Sequence, residues 1–161
     1  MHQFLKKMAV AISIATAFAG SANAADDNSA DVQAVRALFL RQAAGATAHD
    51  IHEMEAVFAN APPGQADPVS FIARAYRYWS RNEVIAHFQR TFAGTWRFEP
   101  DESAIKISFL SKDVAQIYAP TRVTVGPAGQ TPTVAQFHMT EVAIRTPDGW
   151  RIATIVAVPA Q

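Results

Sequence analysis

An α+β fold is what this chain of 161 residues predicts, and two observations carry it. Apolar residues recur at three- and four-residue spacing through the first half, whereas alternating runs rich in β-branched residues fill the second half from Thr95 onward. The clearest of these runs make a hairpin: Phe137 to Arg145 and Trp150 to Val158 flank Thr146-Pro147-Asp148-Gly149. In that turn Pro147 presets φ, Asp148 bonds locally and Gly149 supplies a positive φ. Helices followed by consecutive antiparallel strands leave one sheet face to pack on the helices. With 50% apolar residues, the chain suits one domain with its own core.

The first 24 residues read as a secretory signal. Lys6 and Lys7 form a basic start, Met8 to Ala19 an apolar run too short to span a bilayer, and Ala22-Asn23-Ala24 a small-x-small site, with cleavage expected between Ala24 and Ala25. The expected product is a single domain over 25–161 in the periplasm or outside the cell. Without cysteine, it relies on packing and has no thiol chemistry. Removing the two lysines leaves 12 basic against 14 acidic residues, a net charge of about −2. No basic stripe remains to support nucleic-acid binding, and no later apolar run is long enough to anchor in a membrane.

Residues 25–30 are small and polar and read as a frayed lead-in. From Asp31 the stripe Val32, Val35, Leu38, Phe39, Ala43 predicts an amphipathic helix, which loosens at Gly45 to His49. Asp50-Ile51-His52-Glu53 is a capping box opening a second helix with Ile51, Met54, Val57 and Phe58 inward. Three prolines and a glycine make Asn60 to Pro68 a loop. Val69 to Ala73 reads as a short strand, and Arg74 to Trp79 as an aromatic, basic link without assigned structure. Ser80-Arg81-Asn82-Glu83 caps a third helix whose stripe is Val84, Ile85, Phe88 and Phe92, ended by Gly94. Strands are predicted over 95–99, 104–110, 114–125, 134–146 and 150–158, with turns at 111–113 and 126–129. The late strands are apolar on both faces: His138, Thr140, Val142 and Ile144 share one, Phe137 and Met139 the other. A sheet apolar on both sides calls for a second cover, and a homodimer through the sheet is the expected one.

The order of elements, with the stretches Ala48 to Phe58, Trp79 to Phe88 and Asp148-Gly149-Trp150-Arg151-Ile152, resembles the nuclear-transport-factor-2-like superfamily, in particular its SnoaL-like bacterial branch. The resemblance spans nearly all of the chain after the signal. It implies N-terminal helices packed in the concave face of a curved antiparallel sheet, a cone-shaped, cystatin-like layout with an internal pocket and frequent dimerisation. It does not select an activity, because members include isomerases, dehydratases, epoxide hydrolases, polyketide cyclases and non-catalytic binding modules. In this branch the residue matching Asp50 is structural, and the Gly-Trp-Arg-Ile motif opens the last strand with Trp150 and Ile152 inward and Arg151 outward.

Candidate chemistry rests on a few side chains. His138 stands between Gln136 and Thr140, a polar trio on a strand face that turns apolar at Val142, and buried polar groups need a partner or a ligand. His87 lies beside the apolar stripe of the third helix, where an imidazole serves as a base or a hydrogen-bonding group. Arg122 sits in alternating register with Tyr118 and Thr124, in reach of an oxyanion. Tyr76, Tyr78, Trp79 and Trp96 make an aromatic rim. His49 and His52 are the one metal-like pair, but no third ligand stands near, so no metal site is assigned and no cofactor is expected. The first reading is an exported protein binding a small apolar or amphipathic molecule through His138, His87, Arg122, Tyr76, Trp79, Trp96, Gln136 and Thr140. The alternatives are a cofactor-independent proton-transfer enzyme with His138 or His87 as base and Arg122 or Tyr76 stabilising the oxyanion, and a protein-interaction module using the sheet face.

Overall fold

The computed structural model describes residues 21–161 apart from residue 75, with side chains from residue 29 onward. The signal expected over residues 1–24 lies outside the described residues through residue 20. Among the described residues, no helix is long and apolar enough to cross a membrane.

Helix α1 runs Ser21–Ala48, so it starts before the frayed lead-in expected over 25–30. Ser21 to Ala30 contains four alanines and neither proline nor glycine, so no local residue stops the helix from extending upstream. Its buried stripe is Val35, Leu38, Phe39, Gln42, Ala43 and Ala46. Gly45 lies inside the helix rather than ending it, because a Cβ there would come within 3.0 Å of the Glu53 side chain. The reversal comes four residues later, at His49, whose φ of 57° closes a Schellman turn: Asp50 N–H donates to the Gly45 carbonyl and His49 N–H to that of Ala46. Asp50 then caps α2 (Ile51–Val57) through the Glu53 amide. The Glu53 carboxylate does not reach back as a full capping box would; it pairs with Arg41 at 2.6 Å and so ties α2 to α1. Ser80 caps α3 (Arg81–Thr91), and here the Glu83 carboxylate accepts from the Trp79 amide.

Strands β1 (Ser70–Ala73), β2 (Tyr76–Tyr78), β3 (Thr95–Pro100), β4 (Lys106–Ser111), β5 (Val114–Gly126), β6 (Thr133–Thr146) and β7 (Gly149–Pro159) form one curved, unclosed sheet. Its order is β2-β1-β7-β6-β5-β3, with β4 also on β5. The sheet departs from the expected antiparallel pattern at one place, where β1 pairs parallel to β7. The segment Arg74 to Trp79 is not a simple link: it turns at Arg74, with φ of 47°, into β2. The predicted hairpin is β6-β7, with Gly149 at φ 97°.

Alternation decides which face meets the helices. On β5, Ala115, Ile117, Ala119, Thr121 and Val123 are buried, and on β6 the inward set is Met139, Glu141 and Ala143. A bulge at Val142/Ala143 lets Ile152 and Ile155 of β7 both point inward. These residues meet Phe39, Met54, Phe58, Phe71 and Phe88 in one core. Asp31 clamps α1 to the hairpin, accepting from the Trp150 indole N–H at 3.1 Å and from Arg145. The Trp150 hydrogen bond, and then Arg145, hold its carboxyl below the usual aspartate range.

Candidate functional site

Beyond the end of the helical core the inner sheet face remains uncovered, and a cavity of about 590 Å³ opens there. Its walls are Phe71 of β1, Trp96 and Phe98 of β3, Val123 of β5, and Phe137 and Met139 of β6. These are the inward positions of their strands, so the alternation that builds the core also builds the pocket. One rim is the turn after α3, brought so close to the end of β5 that a Cβ on Gly94 would lie 2.2 Å from the Gly126 carbonyl oxygen. The loop from Pro127 to Thr131 completes that rim. Arg74 and Arg90 are solvent-exposed lining residues and therefore stand where the cavity meets water. The Arg74 guanidinium lies 5.6 Å from the centre of the Phe137 ring, over the apolar wall.

His87 sits behind this wall rather than in it. Its ring centre is 5.4 Å from that of Phe71, 5.0 Å from Tyr76, 4.9 Å from Tyr78 and 5.7 Å from Trp96. Only 3% of the residue is exposed, and its Nε2 has no hydrogen-bond partner among the described residues. Burial, and secondarily the positive charge of Arg90, pushes its pKa down to about 4. The imidazole is therefore neutral at physiological pH and a weak base. Trp96, 9% exposed, also has a buried indole N–H without an acceptor among the described residues.

The other predicted residues do not converge on His87. His138, Gln136, Thr140 and Arg122 occupy the sheet face turned away from the helices. There the His138 Nδ1 and the Tyr118 hydroxyl are 2.9 Å apart, and Arg122 pairs with Glu99 at 3.3 Å. His87 thus lies on one side of the sheet and His138 and Arg122 on the other, so these groups do not converge on one pocket. The reason is register: β6 has a half-apolar outer face, and the polar trio belongs to it. Of the aromatic rim, Tyr76 and Trp96 line the cavity, Tyr78 packs on His87, and Trp79 is 64% exposed and away from it. His49 stacks on Phe92 and bonds the Trp96 carbonyl, whereas His52 points to solvent beside Glu55, so the pair diverges.

Two buried polar residues have no role that the sequence assigns. Glu141, from the sequence only an acid near the sheet, is fully buried with neither carboxylate oxygen partnered among the described residues, and burial pushes its pKa up to about 8. It faces inward two residues beyond Met139, paired across the sheet with Ile117 and Ile155. Gln42 on α1 is likewise buried with both amide atoms unpartnered. The available signal was the two-residue alternation itself, which puts Glu141 on the same face as Phe137 and Met139.

A curved sheet cupping helices around an apolar pocket defines the cone-shaped, cystatin-like class of α+β proteins. Residues 35–159 match the model of the SnoaL-like domain, and the chain belongs to that family, a branch of the nuclear-transport-factor-2-like superfamily. Comparison with curated proteins finds no match. Among solved structures, a protein of the same superfamily from Streptomyces avermitilis, provisionally named a dehydratase, is similar with a TM-score of 0.71 at 19% identity, covering 82% of this chain and 97% of that one. A superfamily protein from Salmonella enterica gives 0.70 at 15% identity, covering 83% and 94%. A third, with a cystatin-like fold, from Novosphingobium aromaticivorans gives 0.67 at 14% identity, covering 90% and 93%. At these identities the likeness is one of fold.

Proposed function

We propose that this protein is an exported small-molecule-binding protein whose ligand occupies the cavity between α3 and the inner faces of β1, β3, β5 and β6. The observation that carries the reading is the cavity's make-up: about 590 Å³ walled by Phe71, Phe98, Val123, Phe137 and Met139, with Arg74 and Arg90 at its mouth. Pockets for small molecules combine such walls with a few polar groups that fix orientation. Proton-transfer catalysis has less support, because His87 is a weak base behind the wall and Arg122 and His138 face the other way. Export rests on the sequence of residues 1–24. Native mass spectrometry of the protein purified from its own host tests both parts of the reading. A retained non-peptide mass and a chain beginning at Ala25 are expected; a ligand-free protein that binds no apolar probe would overturn the binding reading, and an uncleaved chain the export one.

A homodimer through the outer sheet face is proposed on a separate observation. Val134 and Val158 are 52% and 51% exposed there, beside half-buried Val142, Ile144 and Val156. Val158, Val156, Val142 and Ile144 neighbour one another diagonally along β7 and β6, with Val134 apart beyond Gln136, and this apolar stripe would be covered by its copy on a second chain.

A further inference from the structure

We infer that the cavity selects an amphipathic anion, with an apolar body against Phe71, Phe98 and Met139 and an oxyanion head (carboxylate, sulfonate or phosphate) held at the mouth by Arg74 and Arg90. The inference rests on the reading of this cavity as a ligand site and adds the charge of the ligand.

Four observations lead to it. Among the described residues no aspartate or glutamate lines the cavity, and its two charged lining residues are both arginines. Of the other arginines, Arg36, Arg41, Arg97, Arg122 and Arg145 each face a carboxylate, and Arg81 and Arg151 donate to backbone carbonyls. Arg74 and Arg90 make neither an ion pair nor a side-chain hydrogen bond among the described residues. Arg77 shares that condition, but it lies away from the cavity and faces no apolar wall. Second, Arg74 is held at φ 47°, a backbone region that costs an ordinary residue about 1 kcal/mol. The β1-β2 turn thus fixes its side chain over Phe137 rather than letting it trail into solvent.

Third, the lining that the two arginines share is mainly apolar, so their field is screened less there than on an open surface and an anion at the mouth is favoured. Guanidinium groups bind oxyanions through short, charge-assisted hydrogen bonds, and they do so with planar specificity that an ammonium lacks. Fourth, Gln130 and Thr131 of the rim loop add neutral hydrogen-bonding groups to the same lining. An apolar cation meets two like charges here. A neutral apolar molecule fills the wall but leaves the arginines as they are.

The test uses two fluorescent probes with the same ring system, the anionic 1-anilinonaphthalene-8-sulfonate and the neutral N-phenyl-1-naphthylamine. Each is titrated into wild-type protein and an Arg74→Gln/Arg90→Gln variant at low salt. Both substituted positions are exposed, and Arg90→Glu alone serves as a second variant, with thermal unfolding as the check on folding. Wild type is expected to bind the sulfonate about tenfold tighter than the neutral probe, in line with two charge-assisted contacts. The preference should fall to near parity in the double variant, in Arg90→Glu, where the introduced carboxylate offsets Arg74, and on raising salt, while the neutral probe binds all three proteins alike. Binding of both probes with no sulfonate preference, or a preference that the substitutions leave untouched, overturns the anion inference and leaves the pocket reading standing. Failure of both probes to bind removes the pocket reading and this inference together.

Discussion

Replacing Glu141 by Gln should stabilise the protein, and the gain should grow with pH. The native carboxyl keeps its proton up to about pH 8, whereas in the unfolded chain it is released near the ordinary value of 4.5. Between those limits the native state binds more protons than the unfolded one, so stability is fully present below 4.5 and is lost as pH rises toward 8. Each pH unit in that interval removes about 1.4 kcal/mol, so by pH 7 wild type has lost about 3 kcal/mol relative to pH 4.5. Gln copies the shape of the protonated acid and does not titrate, so the variant escapes that loss. Against a typical domain stability of about 5–15 kcal/mol, the difference is large enough to move the thermal midpoint by roughly 10 °C at neutral pH. Urea unfolding of both proteins at pH 5, 6, 7 and 8 measures it. The informative quantity is the gap between the two curves, because His87 contributes an opposing slope to each. A gap that stays constant from pH 5 to 8 would refute the assignment of a buried, proton-bearing Glu141.

Three further outcomes are expected. His87→Phe should remove a separate pH dependence: with the native pKa at about 4 and the unfolded value near 6.5, the His87 contribution to wild-type stability rises with pH across that window, by at most about 3 kcal/mol and less where salt screens Arg90. Paired urea curves at pH 4.5 and 7 should show the variant, which leaves no unpartnered Nε2, losing more stability with rising pH than wild type does, because the falling slope from Glu141 is then unopposed. Gly94→Ala forces a Cβ against the Gly126 carbonyl and should destabilise by about 1–3 kcal/mol while opening the pocket rim, read as weaker binding of N-phenyl-1-naphthylamine. Val158→Asp places a charge in the outer apolar stripe and should convert a dimer to a monomer in light scattering with the thermal midpoint of the monomer unchanged; a wild-type monomer would dismiss the dimer proposal.

Most of the fold was legible because its signals are local. The caps at Asp50 and Ser80, the stripe from Val35 to Ala43 and the Thr146 to Gly149 turn each depend on residues within a few positions of one another. What escaped depends on partners distant in sequence. A four-residue strand carries no mark of whether it will lie parallel to β7, and nothing near His49 announces a left-handed residue in place of the usual glycine. The site was less legible than the fold for the same reason. Both faces of β6 are partly apolar, so period-two alternation divides His138 from Met139 but does not say which of them meets the helices; β5 and α1 decide that. Arg74 and Arg90 stand sixteen positions apart in sequence and meet the same cavity only because β1 and the end of α3 converge there.

The long strand β5 gives its outer edge to two short strands in succession, β3 against Thr121 to Gly126 and β4 against Val114 to Tyr118, separated by a short 3₁₀ turn and with a bulge near Phe109. At the opposite border β2 is three residues long and carries Arg77 at its centre. Neither border therefore presents a straight run of free amides and carbonyls on which another chain could build, and Arg97, Glu99 and Lys106 add charge along the broken one. Short, interrupted and charged borders of this kind disfavour growth of the seven-stranded layer by strand addition. They leave the broad faces, where two surfaces can match once and stop, as the better ground for the dimer proposed above.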